Sequence, residues 1–365
     1  IYGPFDRKND LQVVAVEQNG EREATEKTGR TGGLPFIGKG VYRTTFEVPD
    51  TANRSVTIVF DGVMSNAHVK LNGKEVISWP YGYNSFYVNV DGVIFPGENR
   101  LEVSCENKNG QSRWYPGAGL YRNVHVVTTD KVHIPTWGTF VTTPVVTKEY
   151  ASVALSIEVA GTYNRQNIDV ATVILNADGK EVARKNNVFC ARGQELTQNF
   201  LINTPDLWSP SNPVLYTAKT ILSVGGKKVD EYSTRFGIRS LAYVPEKGFF
   251  LNGEPTKFKG VCNHHDLGPL GAAVNKSALR HQLELLKDMG VNAIRTSHNM
   301  PAPELVELCD EMGVMMMIEP FDDWGFRPKS PNGYGAVFNE WAEKDISNMV
   351  RHYRNNPSVV MWSIG

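Results

Sequence analysis

Up to about residue 241 the chain alternates apolar and polar residues over short runs, and after that the period changes. Val41 to Val48, Ser55 to Phe60, and Ala67, Val69 and Leu71 set against His68, Lys70 and Asn72 read as half-buried strands. Asn72-Gly73 predicts a hairpin turn, because both residue types tolerate positive φ. Phe86, Val88 and Val90 continue the alternation, followed after Pro96-Gly97 by Leu101, Val103 and Cys105. This spacing predicts a jelly-roll β-sandwich over residues 1–130. The run Ser112 to Gly119, with Arg113 and Trp114, breaks the pattern and suits either stacking on a flat apolar surface or packing on a neighbouring domain. A second set follows over 131–241: Val153, Leu155, Ile157 and Val159, then Val170, Thr172 and Ile174 before Asp178-Gly179, ending in Phe236 to Arg239. About seven short strands over this length predict an immunoglobulin-like sandwich acting as a spacer.

From Phe258 the pattern becomes strand, helix, strand. Phe258 to Cys262, Val291 to Ser297, Val314 to Ile318 and Val359 to Ile364 are continuous apolar runs. Between them lie helical faces: Leu279, Leu283 and Leu286; Leu305, Leu308, Cys309 and Met312; and Ala342, Ile346, Met349, Val350 and Tyr353. Strands apolar throughout, alternating with helices, predict a parallel sheet covered on both faces. Residues 242–365 therefore read as the first half of a (β/α)8 TIM barrel. Four strands cannot close an eight-stranded barrel, so the sequence is expected to be part of a longer chain. It starts at Ile1 with neither an initiator Met nor a signal peptide, and its N-terminus is expected to be cut or processed. Met315 to Met317 read as barrel filling, and Trp362 as core or floor.

Composition changes this picture little. Hydrophobic residues make up 41% and charged residues 21%, with a formal net charge of -1, so bulk electrostatics offer nothing to nucleic acid or an anionic membrane. No apolar run approaches the ~20 residues needed to span a bilayer. Cys105, Cys190, Cys262 and Cys309 are far apart and form no C-x-x-C pair, which argues against metal clusters and a disulfide scaffold. Cys309, on its helix's apolar face, reads as a buried free thiol.

Candidate chemistry gathers after the strands: His264, His265 and Asp266; Arg295 to Asn299; Glu319 with Asp322, Asp323 and Trp324. Barrels place their active sites at these C-terminal strand ends. Three consecutive residues such as His264 to Asp266 rarely converge on one ion, and the i, i+4 spacing of zinc proteases is absent.

The chain resembles glycoside hydrolase family 2, the β-galactosidase, β-glucuronidase and β-mannosidase group, over essentially its whole length. Asn292, Ile294, Arg295, Thr296, Ser297 and His298, followed by Leu305-Val306, Asp310 and Gly313, are similar to the family's first signature. Asn299-Met300 departs from its usual Tyr-Pro. Arg354 to Gly365 is similar to the second signature, short of its end. Gly40 to Arg43, Gly119 to Arg122, Trp208 with Leu215-Tyr216, and Phe236 to Arg239 add matches in the same order.

The resemblance implies a retaining exo-glycosidase with two carboxyls about 5–5.5 Å apart. Both are expected beyond Gly365, the acid/base Glu two residues on and the nucleophile further still, so the 365 residues alone are expected to be inactive. Arg295 is expected to orient the nucleophile, the plain alternative being a structural salt bridge. His298 is expected to donate to sugar hydroxyls, with His264, Asp266 and Asn299 as further sugar contacts. Glu319, Asp323 and Trp324 add acceptors beside a ring, the alternative being an ion pair on the barrel rim. Arg113 and Trp114 are expected to reach the site from the first domain. No cofactor is expected. The family's Mg²⁺ or Na⁺ is an implication only, because Asp323 and Gly325 stand where a Glu and a His bind Mg²⁺. The partner implied is a carbohydrate, with homo-oligomerisation open. A β-galactoside is favoured on the Arg-Thr-Ser-His motif and His264. β-Glucuronidase is the second enzyme reading, and a non-catalytic carbohydrate-binding protein the reading from another class.

Overall fold

The computed structural model describes residues 38–108, 110–112, 114, 116–161, 167–189, 195–326 and 328–365, with the backbone of two short strands, Val16–Gln18 and Glu21–Glu23. Arg113 and Cys190 lie outside the described residues.

The first sandwich sets the antiparallel strands Gly38–Val48, Gly97–Asn107, Ala67–Leu71 and Lys74–Trp79 against Val124–Asp130, Arg54–Phe60 and Phe86–Asn89. Ala67, Val69 and Leu71 are buried while His68 and Lys70 are exposed, as their alternation predicts. Asn72 and Gly73 take φ of 54° and 83°, making the hairpin turn. The second sandwich pairs Thr139–Val146, Tyr150–Ile157 and Leu196–Asn203 in one sheet. Glu181–Phe189, Ile168–Leu175, Tyr216–Val224 and Lys227–Phe236 form the other, and Leu155, Ile157, Ile168, Ile174 and Leu222 fill the space between.

Four parallel strands follow in sequential order: Gly260–Asn263, Ala293–Thr296, Met315–Ile318 and Val359–Trp362, the first to fourth barrel strands. Helices α1 (Lys276–Asp288), α2 (Pro303–Met312) and α3 (Phe338–Tyr353) connect them. Asn275 caps α1 by accepting from the Ala278 N–H at 3.0 Å, and Pro303 supplies the fixed φ suited to the first turn of α2. Gly313 ends α2 at φ 72°, where a Cβ would lie 2.5 Å from the Pro210 carbonyl oxygen.

Two features depart from the sequence reading. A small sheet of Leu241–Val244, Gly248–Leu251 and Glu254–Pro255 precedes the barrel, and its Phe249 and Leu251 pack with Trp208, Ala293, Met315 and Val360 under the strands' N-terminal ends. Its strands are too short to show a period. On α3, Ile346 is exposed and Asp345 is fully buried in its place. The reason is a set of donors: Asp345 accepts from Trp79 Nε1 at 2.8 Å, Asn84 Nδ2 at 2.6 Å and the Tyr334 hydroxyl. This carboxylate anchors α3 to the first sandwich.

Candidate active site

The register of the parallel strands decides which polar residues meet. Thr296, closing the second strand, accepts the Glu319 N–H on its Oγ1 at 3.0 Å, which brings Glu319 beside Arg295. Arg295 then grips Glu319 with two prongs, Nε to Oε2 at 2.7 Å and Nη2 to Oε1 at 2.9 Å. His298 Nδ1 is 2.7 Å from Glu319 Oε1, and Ser363 Oγ donates to Oε2 at 2.9 Å. Glu319 is 1% exposed. Arg295 Nη2 lies further from His298 Nδ1, at 3.2 Å, so the carboxylate contact assigns the ring proton to Nδ1.

Two expectations change with this geometry. Glu319 is no open acceptor for a sugar, because four donors already converge on its two oxygens. Arg295 gives its bidentate edge to Glu319, which leaves Nη1, 3.4 Å from Cys262 Sγ, as its outward arm. His298 turns Nδ1 to Glu319, so Nε2 is the ring nitrogen left to meet a sugar hydroxyl. The Arg295 guanidinium also holds the exposed Cys262 thiol below the usual thiol range.

Trp114 reaches the barrel from the first sandwich. Its ring stands edge-on to His264 at 5.1 Å and lies 6.1 Å from His298, while the two imidazoles meet at right angles, 5.6 Å apart. Its Nε1 donates to the Tyr83 hydroxyl at 3.2 Å. Asp266 is half-buried next to His265. His265 itself is turned inward, its Nε2 2.9 Å from the Pro116 carbonyl oxygen, and burial pushes its pKa down to about 4. Asn299 is buried, with its side-chain amide 2.9 Å from the Tyr81 hydroxyl. Trp324 is half-buried with its ring 5.4 Å from Phe326. Beside this cluster a cavity of about 170 Å³ opens between sandwich and barrel, lined by Tyr81, Tyr83, Gln111, Asn299, Asp322 and Tyr334 among others.

Asp323 lines the same cavity with both oxygens engaged by its own loop: Oδ1 accepts the Lys329 N–H at 2.7 Å and Oδ2 the Gly335 N–H at 3.1 Å. The residues present therefore do not fit a magnesium site at this position: Asp323 is engaged and Gly325 has no side chain. Among the described residues, no three His, Cys, Asp or Glu side chains converge on a point that could hold a metal.

Beyond Trp114, sequence reasoning assigned no role to Tyr81 and Arg122 of the first sandwich. The Tyr81 hydroxyl gives its single proton to the Pro320 carbonyl and meets the Asn299 amide with its lone pairs. Buried Arg122 donates from Nη1 to the carbonyls of Asp61, Tyr83 and Pro301 and from Nη2 to Met300, bridging the sandwich to the turn after His298. Arg122 sits in the matched Gly119 to Arg122 run, so a signal was present without a role attached.

The sequence matches three family models in order: "Glycosyl hydrolase 2 galactose-binding domain-like" over residues 36–117, "Glycosyl hydrolases family 2" over 132–239, and "Glycosyl hydrolases family 2, TIM barrel domain" over 243–365. It is 42% identical over 370 residues to Beta-galactosidase BoGH2A of Bacteroides ovatus, an alignment covering 98% of this chain and 43% of that protein. A Beta-glucuronidase of Bacteroides fragilis is 29% identical over 344 residues, covering 87% of this chain and 48% of its own. The crystal structure of a glycosyl hydrolase family 2 member from Bacteroides cellulosilyticus superposes with a TM-score of 0.89 at 36% identity, over 93% of this chain and 44% of that one. The chain thus spans less than half the length of these relatives. With both sandwiches and the barrel strands each matched in turn, the chain belongs to glycoside hydrolase family 2.

Proposed function

We propose that the chain supplies the sugar-holding part of a retaining β-glycosidase acting on terminal β-galactosides. The observation that carries this reading is the convergence of Trp114 from the sandwich with His264, His298 and Arg295 at the C-terminal ends of parallel strands. An aromatic ring, two imidazoles and a guanidinium side by side at the strand ends suit a sugar, whose C–H face stacks and whose hydroxyls need directed partners. Preference for galactose is supported by the Arg295 to His298 motif and by the name of the Bacteroides ovatus relative. The neighbouring cavity would receive the rest of a larger glycoside. The nucleophile and the acid/base are assigned to the remainder of the polypeptide, with Arg295 Nη1 the arm left to steady the nucleophile.

The test is turnover of 4-nitrophenyl β-galactoside and 4-nitrophenyl β-glucuronide by the complete polypeptide, with the anomer released followed by NMR. The expected result is galactoside cleavage with retention, and none by residues 1–365 alone. Glucuronide preference would replace the sugar assignment. Sugar binding without turnover would establish a carbohydrate-binding protein instead.

A further inference from the structure

Trp114 and His298 come to the site from different domains, the first sandwich and the second barrel strand, yet their rings lie 6.1 Å apart. Their mutual placement therefore depends on how the two domains are seated on one another. Arg122 stands in that seam and is 5% exposed. Its guanidinium faces four backbone carbonyls. Nη1 lies 2.8 Å from that of Tyr83, 3.1 Å from that of Pro301 and 3.2 Å from that of Asp61, and Nη2 lies 2.9 Å from that of Met300. The stem passes close to Gly62, where a Cβ would lie 2.8 Å from Arg122 Cδ.

The two sides of this guanidinium lead to the two halves of the site. On the sandwich side, Tyr83 accepts from Arg122 on its carbonyl and from Trp114 Nε1 on its hydroxyl, the latter at 3.2 Å. The Tyr83 ring is buried and meets His265 edge-on at 5.0 Å, which restricts its rotation. On the barrel side, Met300 and Pro301 follow His298 by two and three residues. The Pro301 carbonyl also accepts from the Tyr353 hydroxyl of α3 at 2.9 Å. A guanidinium presents its N–H groups in a fixed planar fork that spans both sets of carbonyls at once; an ammonium is a compact point charge on a flexible stem and does not.

We propose that Arg122 is a positioning residue of the sugar site. It sets the Trp114 ring against His298 by holding the Tyr83 carbonyl on one side and the Met300 and Pro301 carbonyls on the other. It acts through these segments and not on the sugar itself. A tie that merely joined the two domains would change stability and leave the placement of the rings in the folded protein as it was. The effect on sugar binding rests on the glycosidase reading; the placement of the Trp114 ring does not.

The test uses Arg122→Lys in the complete polypeptide labelled with 5-fluorotryptophan, with the Trp114 resonance assigned by its loss in Trp114→Phe. In the ¹⁹F spectrum without sugar, Arg122→Lys should shift or broaden the Trp114 resonance. An unmoved resonance in a folded variant would overturn the proposal, whatever the change in stability. For the nitrophenyl galactoside, Arg122→Lys should raise KM about 3–10-fold, the worth of one aromatic contact, with kcat changed less. In a Trp114→Ala background that effect on KM should shrink about two-fold or more, because the ring being positioned is gone. An equal effect in both backgrounds would overturn the proposal. If Arg122→Lys does not fold, Gly62→Ala crowds the same guanidinium at unchanged charge, and the same shift of the Trp114 resonance is expected, its absence counting against the proposal. A parent protein that cleaves no galactoside would sink the glycosidase reading alone, since the resonance still decides the role of Arg122.

Discussion

Replacing Glu319 by glutamine in the complete polypeptide keeps the volume and removes the charge on which four donors converge. A carboxylate offers two acceptor oxygens; a carboxamide offers one oxygen and an NH₂ group. If the amide oxygen takes the Oε1 position, it keeps Arg295 Nη2 and His298 Nδ1, and the NH₂ then faces Arg295 Nε and Ser363 Oγ. Ser363 can rotate its hydroxyl to accept, but the Arg295 Nε–H cannot. Even the best orientation therefore leaves one donor opposing another and a guanidinium without its counter-charge. Breaking a buried ion pair from one side costs ~3–5 kcal/mol. Arg295 is 32% exposed on its side chain, so water meets part of that loss, and ~2–3 kcal/mol is expected. Urea unfolding should show a lower midpoint at unchanged slope. In a cycle with Arg295→Met, most of the Glu319→Gln cost should disappear. A Glu319→Gln protein within about 0.5 kcal/mol of the parent would refute this account. Weakened sugar binding without lost stability would return Glu319 to the role of open acceptor.

Two further outcomes follow from the same structure. Trp114→Ala should raise KM for the nitrophenyl galactoside about 3–10-fold, the worth of one aromatic contact, with kcat changed less; unchanged constants would remove Trp114 from the site. Burial raises the Asp310 carboxyl to about 6, above its unfolded value, despite bonds from Asn356 Nδ2 at 2.5 Å and the Ser358 N–H at 2.9 Å. Its contribution to stability is therefore fully present below about pH 4 and is lost as pH rises through about 6. Asp345, also raised to about 6, acts in the same direction. His265, lowered to about 4, acts oppositely, since its contribution is present above about 6.5 and is lost on acidification. Asp310→Asn should thus make stability rise more steeply, or fall less, between pH 4 and 6 than in the parent, as followed by urea midpoints. An identical pH profile would mean that Asp310 ionises normally.

Much of the scaffold was legible because burial on one face leaves a period in the sequence. Ala67 to Leu71 and Tyr150 to Ile157 alternate in structure as they alternate in composition, and α2 buries Leu305, Leu308 and Cys309 as its apolar spacing predicts. The polar clusters after the strands were legible too, since an apolar run that gives way at once to Arg295 to Asn299, or to Glu319, marks a buried strand reaching the barrel rim. Which partners those groups choose was not. Glu319 and Asp323 look alike in sequence, yet the first closes on Arg295 across a strand register and the second on N–H groups of its own loop. Asp345 displaced Ile346 from the inner face of α3 because its donors come from residues over 250 positions away, apart from nearby Tyr334. Local pattern carries no trace of such contacts.

The grip of the second sandwich on the barrel bears on the order of assembly. Arg239, buried enough for its guanidinium to fall to about 10, donates from Nε to the Pro357 carbonyl at 2.6 Å and from Nη2 to Val359 at 2.7 Å. Trp208 Nε1 likewise donates to the Asp310 carbonyl at 3.0 Å. These donors belong to a domain that leaves the ribosome before the carbonyls it will bind. Domains fold largely as units from the N-terminus during synthesis. The sandwich can therefore stand ready as a template when the third helix and fourth strand emerge. The second, third and fourth strands can then dock on a formed surface, since Trp208 packs with Ala293, Met315 and Val360.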